Sequence, residues 1–379
     1  MNRIILIGNG FDLAHSLKTS YANFIDWYWN CWGNRLYQSV KRSETDGLCS
    51  FIIKESVLIP DWAEVFRVGN YRNGNSSETW HLNEVIKLAK HNRSLCDFTM
   101  SPFLERICKS IETKKWVDIE NEYYELLKKF ALEDNNKTKV EELNKQLHTL
   151  QDRLIEYLSE VNQIEVDPIE SIRSAVYTPL HPMDISIGGK LAFQEHMKKQ
   201  SNLHHTKNPY LPDRTLLLNF NYTKTAELYC PKDKRTKFYI NQIHGEVAKP
   251  ESVIFGYGDE MDEKYKELVN KNDNHLLGNI KSIKYLETDN YRKMLEFIES
   301  DSYQVCIMGH SCGNSDRTLL NTLFEHRNCV SVKPYYHKKE DGTDNYLDLV
   351  QNISRNFNDM KLMRDRVVNK VYCKPLTEP

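Results

Sequence analysis

The N-terminal segment constrains the fold of this chain most. Ile4–Ile7 is a short, mostly β-branched apolar run, and Gly8-Asn-Gly-Phe-Asp12 follows it directly. A continuous apolar run is typical of a strand buried on both faces. Apolar residues then recur at helical spacing from Leu13 to Trp29. The order strand, glycine-rich turn and helix predicts the first unit of an α/β fold, with backbone N–H groups and a helix N-terminus facing a phosphate.

This glycine motif is an incomplete dinucleotide fingerprint. Leu13 stands where the third glycine of G-x-G-x-x-G belongs, and no acidic residue ends a second strand about 20 residues later. Gly8 and Gly10 therefore favour nucleotide binding, with the alternative that they only form a tight corner between strand and helix.

Composition excludes several classes of protein. The 379 residues carry 51 basic and 53 acidic side chains, and a formal charge of −2 gives no general argument for binding nucleic acid or a membrane. No apolar run approaches the ~20 residues that span a bilayer. The N-terminal apolar run is too short for a secretory signal. Nine scattered cysteines without a C-x-x-C pair predict reduced thiols in a cytoplasmic protein and no zinc ribbon.

The middle of the chain predicts a mainly helical insertion, residues 33–209, between two parts of a core at 1–32 and 210–379. Thr19-Ser20 is expected to cap a helix from Tyr21 to about Trp32. Residues 33–101 have turn signals at Asn73–Ser77 and no clean period, so short helices and loops are expected there. His204-His205 is an adjacent pair that does not converge on a metal, and no metal site is expected.

Two helices are clearer, from Trp116 to about Leu132 and from about Lys139 to Gln163, with a break at Asn135-Asn136-Lys137. In the second, leucines and other apolar residues from Leu143 to Ile164 step by four and three. This stripe predicts a helical hairpin packed within the chain, and a dimer seam is the alternative.

The second half of the chain alternates strands with helices. Strands are predicted at Thr215–Leu218, Phe238–Ile243, Ser252–Phe255, Tyr303–Met308 and Cys329–Tyr335, with an edge strand at Lys370–Cys373. Helices are predicted at Thr223–Tyr229 and from Asn314-Ser-Asp316 to about His326. The alternation predicts an α/β, Rossmann-like core, a mostly parallel sheet with helices on both faces.

Polar or glycine-rich clusters follow five of the predicted strands: Gly8–Asp12, Asn219–Thr223, His244–Glu246, Gly256–Glu260 and Gly309–Asp316. Ligands bind outside the carboxyl ends of the strands in such sheets. The coincidence of five clusters at that edge predicts one site for a large phosphate-bearing ligand.

Single residues in these clusters have a functional and a structural interpretation. His244 can exchange a proton near neutral pH, or its ring can be satisfied by a backbone carbonyl. Asp12 can be a site carboxylate or an acid at a helix N-terminus. Asn221 can hold a water or sugar hydroxyl, or stabilise its own turn. His310 and Ser311 are candidates to face the ligand, and Asp316 is expected to cap a helix.

Taken together, these motifs resemble the bacteriophage abortive infection protein AbiH family. The resemblance is carried by Ile7-Gly-Asn-Gly-Phe-Asp-Leu-Ala-His15, Trp116-Val-Asp-Ile-Glu120, Asn219-Phe-Asn-Tyr-Thr223, Ile243-His-Gly245 and Gly309-His-Ser-x-x-x-Ser-Asp316. It spans residues 7 to 316 and implies a role in anti-phage defence.

A more distant resemblance is to sirtuin-like NAD-consuming domains. It assigns Gly8, Asn9 and Gly10 to a phosphate loop, Asn219, Asn221 and Thr223 to a strand end at the ligand, His244 to the catalytic histidine, and Gly309, His310 and Ser311 to a loop at the adenosine ribose. Phe11 and Asp316, which lie beside these motifs in the sequence, are further candidates for ligand binding. Asp12 stands where a serine is usual, and Thr223 where an aspartate is usual. The missing C-x-x-C pairs count against deacetylation and favour simple nucleotide cleavage.

The resulting hypothesis is an enzyme that cleaves the nicotinamide–ribose bond of NAD. Gly8 and Gly10 would hold the pyrophosphate, Asn221 would orient a hydroxyl or water, and His244 would take the proton. Asp12 or Glu246 would stabilise the cationic sugar.

Two alternatives remain. The first is a nucleotide-sensing module without turnover, whose helical region 102–165 forms an effector or homo-oligomer surface. The second is an enzyme acting on RNA or DNA, against which the near-neutral charge counts.

Overall fold

The computed structural model describes residues 1–38, 43–54, 96–114, 117–133, 137–201, 208–231 and 237–378. They form two compact units, one of residues 1–18, 158–273 and 279–379, the other of residues 19–157 and 274–278. Four segments named above lie outside the described residues: Asn73–Ser77, Trp116, Asn135-Asn136 and His204-His205.

The strands form two sheets. A five-stranded sheet in the first unit has the order β6-β5-β1-β7-β8, and a three-stranded sheet in the second has the order β2-β3-β4. The strands are β1 Asn2–Ile7, β2 Ser43–Thr45, β3 Cys49–Ile53, β4 Cys96–Met100, β5 Thr215–Asn219, β6 Phe238–Gln242, β7 Tyr303–Met308 and β8 Cys329–Tyr335.

Helices make up much of the remaining described chain. The α-helices are α1 Asn9–Ala14, α2 Tyr21–Gln38, α3 Pro102–Lys114, α4 Ile119–Ala131, α5 Lys137–Val161, α6 Glu170–Val176, α7 Lys190–Ser201, α8 Glu263–Asn270, α9 Asn274–Leu277, α10 Lys281–Lys284, α11 Asn290–Ser300, α12 Arg317–Glu325, α13 Tyr346–Arg355 and α14 Met360–Arg366. Across the described ranges, no helix has both the length and the apolar character needed to cross a bilayer.

All neighbouring pairs in the five-stranded sheet are parallel, with Ile5 of β1 beside Leu217 on one side and Cys306 on the other. Every residue of β1 is buried, as its continuous apolar run predicts. Counted within this sheet, the strand order is 3-2-1-4-5, and the direction of winding reverses between β1 and β7. That reversal is the topological switch point of a doubly wound fold.

Helices cover both faces of this sheet. Alternate strand residues face opposite sides because the side-chain period of a strand is two. Ile4 and Leu6 pack in a cluster with apolar residues of α11, α12, α13 and α14, whereas Ile5 and Ile7 pack in a cluster with α1 and α6. The α/β, Rossmann-like prediction is therefore confirmed.

Several element predictions were wrong. Ser252–Phe255 forms no strand: a 3₁₀ turn at Pro250–Ser252 precedes it, and the apolar run exists because Val253, Ile254 and Phe255 are buried outside a sheet. Lys370–Tyr372 is a 3₁₀ turn instead of an edge strand. The helix predicted at Thr223–Tyr229 is a 3₁₀ helix over Thr225–Tyr229.

The second unit differs from the prediction in its sheet, and its helices are present with different bounds: α2 continues beyond Trp32 to Gln38, and Lys137, predicted to break a helix, begins α5. The described part of residues 33–101 contains the antiparallel strands β2, β3 and β4, where short helices and loops were predicted. The Ser20 hydroxyl accepts the Asn23 N–H at 3.1 Å, which confirms the predicted cap of α2.

The leucine stripe of α5 is buried within this single chain. Leu143, Leu147, Leu150 and Leu154 are at most 4% exposed. The stripe therefore belongs to the core of the folded chain, and a coiled-coil seam between two copies would first have to expose it. Whether the chain forms oligomers stays a prediction.

Candidate functional site

The candidate site lies at the carboxyl ends of β5, β6, β1 and β7. The loops after these strands carry the predicted residues, and the loop after β1 lies next to the loop after β7 at the switch point. The structure brings the polar predicted residues together in two groups, one around Asp316 and one around Asp12.

The first group is a buried set of five polar side chains, which we call the Asp316 cluster: His244, Lys281, Tyr285, His310 and Asp316. Asp316 Oδ1 lies 2.8 Å from Lys281 Nζ and 3.2 Å from His244 Nε2. His244 Nε2 also lies 3.2 Å from the Tyr285 hydroxyl, and His310 Nε2 lies 3.6 Å from Asp316 Oδ2. One carboxylate therefore faces three basic side chains.

The position of Asp316 corrects its interpretation as a helix cap. It ends the 3₁₀ turn Asn314–Asp316 and precedes the first residue of α12, but its side chain makes no capping hydrogen bond. Its carboxylate points instead to His244 and Lys281.

His244 has side-chain partners, so its interpretation as a histidine satisfied by a backbone carbonyl is wrong. Its ring stacks on the ring of Tyr285, with the two centroids 6.1 Å apart, and lies nearly perpendicular to the ring of Phe220, with the centroids 5.1 Å apart. Gly245 does not open space beside it, because a Cβ there would lie 2.1 Å from the Ser252 carbonyl oxygen. The ring is thus fixed by packing as well as by Asp316.

The charges in the cluster follow from these contacts. Burial has the largest single effect on Asp316 and alone would raise its pKa, but Lys281, His244 and His310 together outweigh burial and hold that pKa well below the usual value. Burial lowers the pKa of His244, Lys281 lowers it further, and Asp316 acts in the opposite direction. Asp316 is therefore ionised at neutral pH and His244 is neutral.

A neutral His244 beside an ionised Asp316 has a defined tautomer. The Nε2–H donates to Asp316, and Nδ1 keeps the lone pair that accepts a proton. His310 uses its own Nδ1 to accept the Cys312 N–H at 2.9 Å, which leaves its Nε2–H directed towards the same carboxylate.

The second group surrounds Asp12. Asp12 Oδ2 accepts the Thr223 hydroxyl at 2.6 Å, and Oδ1 is buried with no hydrogen-bond partner among the described residues. Burial raises the pKa of Asp12, while the neighbouring Thr223, Thr225 and Asn221 side chains oppose that effect. The N-cap of α1 is Gly8, so Asp12 is not the capping residue, although it lies in the first turn of α1 as an acid at a helix N-terminus would.

Asn219 and Asn221 join the loop after β5 to the loop after β1. The Asn219 side chain accepts the Asn221 N–H and donates to the Thr223 carbonyl, both at 3.1 Å. The Asn221 Nδ2 group donates to the Gly8 carbonyl at 3.0 Å. Asn221 therefore stabilises its loop, as the structural interpretation held, and also stands beside Asp12.

The glycines at the switch point are required by a close approach of two protein loops. A Cβ on Gly8 would lie 2.5 Å from the Cα of His310, and a Cβ on Gly309, where φ is +74°, would lie 2.1 Å from the Phe11 nitrogen. The Gly10 N–H donates to the Gly309 carbonyl at 2.8 Å. These contacts agree with the tight-corner interpretation of Gly8 and Gly10.

A comparison with family models identifies the chain. The model described as bacteriophage abortive infection AbiH matches residues 4–337, from β1 to just beyond β8. The chain belongs to the AbiH family. Its role is therefore in anti-phage defence by abortive infection. A search of curated proteins found no match.

Not every predicted residue of this AbiH protein joins the two groups. Asn9 and Ser311 are exposed, and Phe11 is part of the core, where its ring meets His15 and Tyr229. Glu246 pairs with Lys249 at 2.5 Å. Asp12 is thus the better placed of the two carboxylates proposed to stabilise a cationic sugar.

Sequence reasoning missed three residues of the AbiH site: Phe220, Lys281 and Tyr285. Lys281 lies in α10 and Tyr285 follows it. Both are away from any strand end, so a search for polar residues directly after strands could not identify them. Phe220 follows β5 directly, and its ring lies 4.2 Å from that of His310 and 5.1 Å from that of His244. Its position directly after a strand and its place within the Asn219–Thr223 motif were the signals for it.

In the part of the chain that the structure describes, no three histidine, cysteine, aspartate or glutamate side chains are grouped so as to hold an ion. The ammonium of Lys281 occupies the position on Asp316 that a cation would take.

Proposed function

We propose that this AbiH protein hydrolyses the nicotinamide–ribose bond of NAD, and that the loss of NAD aborts the infection. The pairing of His244 with Asp316, at the carboxyl edge of the sheet near the switch point, carries the proposal. Doubly wound sheets bind dinucleotides at that place. The resemblance of the glycine turn, the Asn219–Thr223 motif and His244-Gly245 to sirtuin-like domains supports the same ligand.

The reaction uses water as the nucleophile. His244 Nδ1 takes a proton from water as the water oxygen bonds to C1′ of the ribose. The bond from C1′ to the nicotinamide nitrogen breaks, and its electron pair stays on that nitrogen. The products are nicotinamide and ADP-ribose, and His244 then releases its proton to solvent.

Asp12 and Asn221 supply the second half of the site. Positive charge develops on the ribose as the bond breaks, and a carboxylate stabilises such a charge. In this proposal the cationic substrate draws Asp12 into its ionised form, because a nearby cation favours the charged carboxylate. Asn221 orients the water or a ribose hydroxyl with its amide.

The first test is incubation of the purified protein with NAD, followed by chromatography for nicotinamide and ADP-ribose. Lysate from phage-infected cells is added in a parallel set, because an NAD hydrolase in a healthy cell must be inactive. We expect His244→Ala and His244→Gln to lower nicotinamide release at least ~100-fold, the usual contribution of a general base. Circular dichroism and thermal unfolding report whether each variant is folded.

His337→Ala is the matched control, because His337 is exposed and lies outside the site. We expect it to release nicotinamide like the wild type and to protect cells from phage, whereas the His244 variants fail in both assays. Full activity in a folded His244 variant would contradict the assignment.

A specific contact also favours the alternative of nucleotide sensing without turnover. Gly309 and His310 occupy the space over Gly8 and Gly10, and Gly309 accepts the Gly10 N–H. A nucleotide phosphate on this turn would displace the loop after β7, which is how a ligand changes the shape of a sensor. Thermal stabilisation by NAD without release of nicotinamide, in both lysate conditions, would support this function instead.

A further inference from the structure

We propose that Lys281 is a positioning residue, whose ammonium occupies Asp316 so that His244 enters the reaction uncharged. The inference deepens the proposed function, since it concerns regulation of the same base. It also makes a statement about His244 that holds whatever the substrate is.

The geometry places both donors on one oxygen. Asp316 Oδ1 is 2.8 Å from Lys281 Nζ and 3.2 Å from His244 Nε2. The Lys281 side chain is 1% exposed, and Gly258 packs against its stem, where an added Cβ would lie 3.2 Å from Lys281 Cβ. The ammonium is therefore buried at this oxygen, with the stem of the side chain packed on Gly258.

Stability alone does not explain a buried lysine at this position. Removing an ammonium from water costs several kcal/mol, and a buried ion pair is often no more stable than apolar residues of the same size. What the lysine provides is a permanent cation for Asp316. If it were removed, the buried carboxylate would draw a proton onto a neighbouring imidazole, and a protonated imidazole cannot act as a base.

Among the described residues, His244 faces one ammonium, that of Lys281, and one carboxylate, that of Asp316. Titratable or charged side chains face His244 from each of the described elements packed on it. They are Asp316 before α12, Lys281 of α10, Tyr285 after α10, His310 after β7 and Tyr222 after β5. Burial and Lys281 lower the pKa of His244, with His310 acting in the same direction and Asp316 against it. Lys281 is thus the group whose loss changes the balance most.

The test compares Lys281→Met, Lys281→Arg and the wild type by NMR titration of the His244 imidazole, with the signal assigned from His244→Gln. We expect the imidazole of His244 to titrate below its ordinary range in the wild type and in Lys281→Arg, because the pKa of His244 is lowered when a cation stands at Asp316. In Lys281→Met we expect the titration midpoint of His244 to move upward by about one pH unit or more. Lys284→Met, in the same helix but without a contact to Asp316 among those described, is the control and should leave it unchanged.

The pH dependence of nicotinamide release gives the second readout. The acid limb should move to higher pH in Lys281→Met by the same amount as the NMR midpoint, because only the neutral form of His244 is active. A purely structural role for Lys281 would lower the rate or the stability without moving that limb. An unchanged His244 titration in folded Lys281→Met would overturn the proposal.

Two further outcomes are informative. If Lys281→Met does not fold, the double variant Lys281→Met/Asp316→Asn removes both charges, and there His244 should stay neutral; a protonated His244 in the double variant would contradict the proposal. The NMR titration needs no NAD. A wild type that never releases nicotinamide would therefore defeat the proposed function, while the titration would still decide the role of Lys281.

Discussion

Asp12 is proposed to act in its ionised form, whereas its burial in the folded chain favours the protonated form. Burial raises the pKa of its carboxyl above the usual 3.8, so the folded chain binds this proton more tightly than the unfolded chain does. Stability then falls as the pH rises from the ordinary aspartate range through the raised pKa. Each tenfold difference in proton affinity is worth about 1.4 kcal/mol.

We therefore expect Asp12→Asn to unfold at a higher temperature than the wild type at pH 7, with the difference shrinking as the pH falls towards 4. Thermal unfolding measured across this pH range checks the prediction. Asp341→Asn is the control, because Asp341 is exposed and its pKa is lowered by Thr343, so no gain is expected. A destabilised Asp12→Asn at neutral pH would show that the folded chain keeps the carboxylate ionised.

The residues of the site were predictable only where the chain order marks them. His244, His310 and Asp316 follow β6 and β7, and a polar residue just after an apolar strand is a signal that one sequence carries. Lys281 carries no such signal, because a lysine in a short helix is usually solvated. Its burial depends on how α10 packs against Asp316, and that contact exists only in three dimensions.

At the scale of elements, the loop after β7 depends on two separate properties of Gly309. Its φ of +74° disfavours any side chain, and its Cα packs against the turn at Gly10 and Phe11. Gly342 has a similar φ of +81° but nothing within 4 Å of an added Cβ. A substitution at Gly342 therefore tests backbone strain alone, whereas a substitution at Gly309 tests backbone strain and close packing together.

We expect Gly342→Ala to lower the free energy of unfolding by about 1–2 kcal/mol, the usual effect of a left-handed backbone on a residue with a Cβ. Gly309→Ala should cost roughly 1–3 kcal/mol more, since the loop must also move away from Phe11. Urea unfolding of both variants measures the difference. Equal losses of unfolding free energy in the two variants would mean that the loop after β7 does not pack closely on the loop after β1 in solution.

The elements themselves were predictable to an uneven degree. β1, β5, β7 and β8 were identified because each is a buried run with turn signals at its ends. Ser252–Phe255 is apolar in the same way but forms no strand. An apolar run indicates that a segment is buried, but it does not indicate whether the segment pairs with a neighbouring strand. The antiparallel sheet of β2, β3 and β4 was missed because it joins residues across a long segment without a period.

At the scale of the whole molecule, β1 has neighbours on both sides, whereas β6 lies at an edge of the described sheet. The amides of β1 should therefore exchange with solvent only when the first unit unfolds as a whole. The amides of β6 should exchange faster through local opening. Native-state hydrogen exchange, resolved by peptide mass spectrometry, checks this order. Equal protection of β6 and β1 would indicate a further partner for the β6 edge.

The position of β1 in the sheet also sets when the site comes into existence during synthesis. β1 leaves the ribosome first, but its two neighbours, β5 and β7, are translated much later, and Asp316 follows β7. Pairings between strands so distant in the chain form slowly and late. A nascent or prematurely terminated chain that ends before β7 lacks β7, β8 and Asp316, the partner of His244. Such a fragment therefore lacks the Asp316 cluster, and under the proposed function it should leave the NAD of the cell intact.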